Sequence, residues 1–178
     1  MMIPGEVIAA LTFPGVIVHE AAHMLFCRLR HVAILDVCFF RFGNPAGYVV
    51  HEECENFTTS FLISMGPFFV NSLVCIAICL PAFAPVRLFG REDPLSMFLL
   101  WLGVSIGMHA IPSTQDASSL WTQARKAAGR LNPLALLSLP LVVLIYVANL
   151  ARFFWADLLY GVAIGVGLPQ LVWEYVMR

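Results

Sequence analysis

His19-Glu20-Ala21-Ala22-His23 is the stretch whose residue types and spacing point most directly to chemistry. On a helix, residues i and i+4 share one face, a turn apart. Two imidazoles so placed can close on a single zinc ion. The glutamate beside the first histidine can then take the proton of a water activated by that ion. Catalytic zinc wants three protein ligands and one open position. The missing ligand, a carboxylate or a histidine, must come from another element at similar depth. The segment His109-Ala110-Ile111-Pro112-Ser113-Thr114-Gln115-Asp116 offers both, with Asp116 the first choice and His109 the second. Asp116 also has a competing purpose, as N-cap of a polar helix over 117–130, because aspartate is a favoured cap.

The elements that must position these groups lie in an apolar chain. Of 178 residues, 60% are hydrophobic and 12% charged, and the mean hydropathy is +0.85. A soluble domain carries about 25% charged residues, so this chain cannot cover a water-facing surface of ordinary polarity. Its net charge of -1 leaves no basic footprint for nucleic acid. The expectation is a single-domain, all-α polytopic protein over residues 1–178, embedded in a lipid bilayer. A spanning helix needs about 20 mostly apolar residues. About five candidates are read, over Ile3–Cys27, Phe57–Phe83, Pro94–Ile111, Pro133–Leu150 and Phe153–Tyr175. The core would be 3–117, with accessory helices over 132–176. The first run has no basic residues before it, so it is expected to be a retained span.

One connection has a different pattern. β-Branched and aromatic residues in Val32–Val50 flank the cluster Gly43-Asn44-Pro45-Ala46-Gly47, which reads as a β-hairpin at the membrane surface or dipping into it under protein cover. Its edge, along Val37–Phe42, could take an extended substrate by strand addition. Arginine and lysine set the orientation. Arg28, Arg30, Arg41, Arg125, Lys126, Arg130 and Arg178 fall on one side, and Arg87, Arg91 and Arg152 on the other. That bias of seven to three places the first side in the cytoplasm and the N-terminus outside. His23 lies five residues from Arg28, and the third span runs the same way as the first, so Asp116 arrives at the histidines' depth, facing the cytoplasm.

The remaining polar groups are few. Pro67 kinks the second span, Gly66 permits close helix approach, and Asn71 is either a contact for substrate or oxyanion or a bond between helices. His109, if not a ligand, shares that possible contact role. His51, Glu52, Glu53, Cys54 and Glu55 read as a solvated loop. The five cysteines are odd in number and form no C-x-x-C pair, and Cys75 and Cys79 read as small buried hydrophobes.

Taken together, His19, Glu20 and His23, the Gly66-Pro67…Asn71 element and the Pro112…Asp116 segment resemble the site-2 protease family of intramembrane zinc metalloproteases. The resemblance covers about Val16 to Ala117. Four residues separate Gly66 from Asn71 where that family usually has three, and Ala117 stands where it has glycine. The chain has no room for the PDZ domain of some members. The resemblance implies hydrolysis of peptide bonds in or near transmembrane segments of membrane-protein or peptide substrates, with Glu20 catalytic, zinc on His19, His23 and Asp116, and a β-rich stretch after the zinc helix. Two other classes use the same residues. A non-catalytic scaffold or inactive relative predicts that Glu20→Gln is harmless, and a transporter with a buried His/Glu/Asp relay predicts no stoichiometric metal.

Overall fold

The computed structural model describes residues 4–54, 56–89 and 93–178. Ile3 at the start of the first expected span, Glu55 in the acidic cluster and Arg91 in the charge count lie outside the described residues. The helices are α1 (Gly5–Leu11), α2 (Phe13–Leu29), α3 (Phe57–Ala82), α4 (Ala84–Phe89), α5 (Pro94–Met108), α6 (Thr114–Ala128), α7 (Pro133–Ala151), α8 (Ala156–Val162) and α9 (Leu168–Val176). A 3-10 turn, Arg152–Phe154, joins α7 to α8, and a π-helical turn, Ala163–Gly167, joins α8 to α9. Strands β1 (Ile34–Cys38) and β2 (Tyr48–His51) form the expected hairpin. They pair antiparallel, with Val37 opposite Val49 and Cys38 opposite Tyr48.

The surface is turned inside out relative to a water-soluble domain. Leu73, Leu95, Leu137, Leu150 and Leu171 are all more than 60% exposed, whereas Glu20, His23, Ser64, Asn71 and Ser105 are buried. Outward leucine and inward polar groups suit a lipid solvent, where bundles are held by small residues and hydrogen bonds between helices. Among the described residues three stretches are long and apolar enough to cross a membrane: Phe57–Ala82, Pro133–Phe154 and Ala156–Val176. The first expected span is not straight. It bends by 87° between α1 and α2, and the pair counts as a fourth crossing only if both are taken as one span. The stretch Pro94–Ile111 yields a helix of 15 residues, about 22 Å long, short of the roughly 30 Å hydrocarbon core. Among the described residues three or four stretches thus qualify as spans by length and composition, and the expected count of about five is not confirmed.

α3 is the central post. It packs against α2, α5 and α6 along its length. Gly66 lets α2 approach, since a Cβ there would collide with the ring of Phe26. α6 packs along α7, and α8 packs along α5. The chain thus passes the α5–α6 junction a second time at the α7–α8 break, where two side chains of α7 and its end tie the passes together. Asn149 Nδ2 donates to Pro112 O at 3.0 Å and Arg152 Nη2 donates to Ile111 O at 2.8 Å. A cluster of Phe57, Met65, Leu120, Ala124, Val142 and Ile145 fills the space between α3, α6 and α7.

Candidate metal centre and its cavity

α2 presents His19 and His23 on one face, and their rings meet edge to face with centroids 4.9 Å apart. Each ring is held by a backbone carbonyl from another helix end or helix. His19 Nδ1 donates to His109 O at 2.6 Å and His23 Nδ1 donates to Ile63 O at 2.9 Å. A carbonyl can only accept, so each Nδ1 carries a proton and each ring turns its Nε2 inward. The two Nε2 atoms lie 3.2 Å apart. Two bare Nε2 atoms at that distance would repel, so the contact needs a proton or a metal ion between them. The second Nε2 is 3.4 Å from Asp116 Oδ1, and the first is 3.9 Å from Asp116 Oδ2.

These separations can be checked against zinc. Bonds of about 2.0–2.1 Å in a tetrahedron place ligand atoms about 3.3 Å apart. The separations between the two Nε2 atoms, 3.2 Å, and from His23 Nε2 to Asp116 Oδ1, 3.4 Å, come close to that figure, whereas His19 Nε2 lies farther from the carboxylate, 3.9 Å from its Oδ2. Ligand atoms of His19, His23 and Asp116 all lie within 4.8 Å of one another. Two imidazoles and a carboxylate are also a donor set that suits zinc, so these residues fit the ion that the motif implies.

Asp116 is not the N-cap expected from sequence, although it takes part in the cap. The N-cap of α6 is Ser113, and Asp116 is the third residue of the helix, in a capping box. Its Oδ2 accepts from Ser113 N at 2.8 Å and from Ser113 Oγ at 2.7 Å. Oδ1 is left facing His23. The cap fixes the carboxylate's rotamer, and the ligand position uses the remaining oxygen.

His109 is not among the clustered ligand atoms, although it lines the cavity beside them. Its ring Nε2 contacts Thr12 Oγ1 at 2.8 Å, at the α1–α2 bend. Its carbonyl, not its imidazole, serves the centre by orienting His19. Asn71 is likewise occupied elsewhere. Fully buried, it donates to Gly15 O at 3.3 Å and to Ile106 O at 3.1 Å, and so joins α3 to α2 and α5. Ile106 O, at the end of α5, also accepts from His109 N at 3.2 Å. Asn71 does not line the cavity, so of its two expected roles the structure assigns it the bond between helices.

A cavity of about 810 Å³ opens onto the cluster. One wall is the polar face of α6, with Gln115, Ser119, Thr122 and Lys126. The opposite wall is the end of the hairpin, Asn44 to His51, and the floor holds His19, Glu20, His23, His109 and Asp116. The strand that borders the cavity is therefore β2, not the Val37–Phe42 edge expected from sequence. Gly47, just before β2, sits over Glu20, and a Cβ there would lie 2.7 Å from Glu20 Cγ. Arg152 also lines this cavity. Sequence reasoning placed it in an outside loop. The signal against that was available: Arg152-Phe153-Phe154-Trp155 contains no polar turn residue and is a poor reversal between two spans. No family model, no curated protein and no solved structure matches the chain.

Proposed function

We propose that this chain is a multi-pass intramembrane zinc metalloprotease, similar to the site-2 proteases, which hydrolyses peptide bonds in or near transmembrane segments of its substrates. One observation carries the reading. Two Nε2 atoms and a carboxylate oxygen converge at spacing close to that of zinc ligands, each group held by its own hydrogen bond, on a cavity of about 810 Å³ that Glu20 also lines.

Zinc bound by His19, His23 and Asp116 would supply Lewis acidity toward a substrate carbonyl and toward water. Glu20 does not belong to the ligand cluster. Its carboxylate, buried under Gly47, takes the proton of the attacking water and returns it to the leaving amine. The polar face of α6 brings water down to this floor. A substrate helix has all its backbone groups paired and must unwind before it can react. The hairpin then offers replacement partners by strand addition along β2. If Pro94–Ile111 counts as a crossing, removing Arg152 from the outside loops leaves Arg87 and Arg91 there against seven on the other side, which supports a cavity facing the cytoplasm and an N-terminus outside.

The test is metal content and cleavage of model single-span substrates by wild type, Glu20→Gln and Asp116→Ala. The reading expects Glu20→Gln to keep zinc and lose cleavage, and Asp116→Ala to lose both. A Glu20→Gln variant that still cleaves would overturn Glu20 as the base, and a zinc-bound wild type that cleaves nothing would favour a scaffold. A folded wild type with no stoichiometric metal would favour a transport relay.

A further inference from the structure

Arg152 ends the apolar stretch Pro133–Phe154, three residues before Trp155 turns the chain with φ 62. One donor of its guanidinium, Nη2, is taken by Ile111 O at 2.8 Å. Another, Nε, is buried and has no acceptor. The ion pairs within 4.0 Å found among the described residues join Asp116 to the two histidines, and none includes Arg152. The groups that face it at longer range are Asp157, Asp116 and His109. A guanidinium in an apolar stretch is costly without an anion against it.

Holding the Ile111 loop does not account for the charge. Asn149 does the same for the neighbouring Pro112 carbonyl with a neutral amide. The charge and the orphaned Nε–H are surplus to that task, and Arg152 lines the cavity that contains Glu20 and the ligand cluster.

We propose that Arg152 forms an anion subsite beside the metal centre, which receives a carboxylate of the substrate. A planar guanidinium matches a carboxylate in shape and charge better than it matches a neutral carbonyl. The carboxylate has two possible sources with the same chemistry: an Asp or Glu side chain close to the scissile bond, or the free C-terminus of a chain already shortened. The inference rests on the protease reading, and its test is separable from it because it measures binding without turnover.

Three labelled single-span peptides are compared on zinc-loaded Glu20→Gln protein in detergent: a neutral one with an amidated C-terminus, the same peptide with a free C-terminus, and an amidated one with Asp or Glu near the cleavage position. The expected result is that one acidic peptide binds about 10- to 100-fold more tightly than the neutral one. Adding Arg152→Gln should abolish that difference while leaving zinc and the affinity of the neutral peptide unchanged. Asn149→Ala, which loosens the same loop without changing charge, should preserve the difference. Which acidic peptide gains identifies the source of the carboxylate. Equal binding of all three peptides, or a difference that persists in Arg152→Gln, would overturn the proposal. If no peptide binds and wild type cleaves nothing, the protease reading itself falls.

Discussion

Gly47→Ala isolates the catalytic base from the metal. A Cβ at this position would lie 2.7 Å from Glu20 Cγ, 2.9 Å from Phe39 O and 3.1 Å from Cys38 O. Carbon atoms in ordinary contact sit about 3.5–4.0 Å apart, so the hairpin and α2 must separate by about 1 Å, or Glu20 must swing away. Two of the three contacts are backbone of the hairpin and cannot yield alone, so the Glu20 side chain gives first. A misplacement of about 1 Å in a catalytic group costs about 100-fold in rate. The expected outcome is a fall in kcat/KM of about that size on a model single-span substrate, with zinc stoichiometry unchanged. Overpacking also lowers stability, by about 1–3 kcal/mol, so rates are compared per folded protein at a temperature below both melting transitions. Gly167→Ala is the control, because a Cβ there meets nothing within 4 Å. Wild-type kcat/KM in Gly47→Ala would refute the placement of Glu20 under the hairpin, and parallel loss of zinc would refute its separation from the ligand set.

Three other outcomes follow from the geometry. His109→Ala keeps stoichiometric zinc, because the group that serves His19 is the backbone carbonyl; zinc lost from His109→Ala but retained in Asp116→Ala would reverse the ligand assignment. Asn71→Ala strips the donor from the Gly15 and Ile106 carbonyls and lowers unfolding stability in detergent by about 1 kcal/mol, with kcat per folded molecule intact; a selective loss of kcat at unchanged stability would restore Asn71 to the reaction. Substrate peptides N-methylated at alternate amides across the cleavage region show KM raised about 5-fold at the methylated positions that face β2, whereas indifference at every position would exclude strand addition.

The legibility of this protein in its sequence follows the range of the interactions involved. His19, Glu20 and His23 are readable because i, i+4 geometry is local and the helix around them is continuous. The closeness of Asp116 to the histidines was reachable through depth, since two parallel runs deliver it to their level, and the oxygen nearest His23 is not the one that accepts from Ser113. The carbonyls of His109 and Ile63 left no signal, since every residue carries a carbonyl and only the tertiary fold selects these two. Gly47 was read only as part of a turn cluster, because its closeness to Glu20 joins segments 27 positions apart. Hydropathy also has no direction. It saw one run over Ile3–Cys27 where Thr12 turns the chain by 87°, and it took Arg152 for a loop charge although the chain there enters the cavity wall. The hairpin was legible from its β-branched runs, but which strand borders the cavity depends on how the hairpin lies against α2.

Metal stoichiometry across four variants tests the central claim most directly. Purified protein exposed to zinc and freed of excess should hold one equivalent in wild type and in Glu20→Gln, and none in His23→Ala or Asp116→Ala, with all four folded by melting in detergent. Equal zinc in wild type and Asp116→Ala, or folded wild type that takes up none, would contradict a centre built from two imidazoles of α2 and the carboxylate at the start of α6.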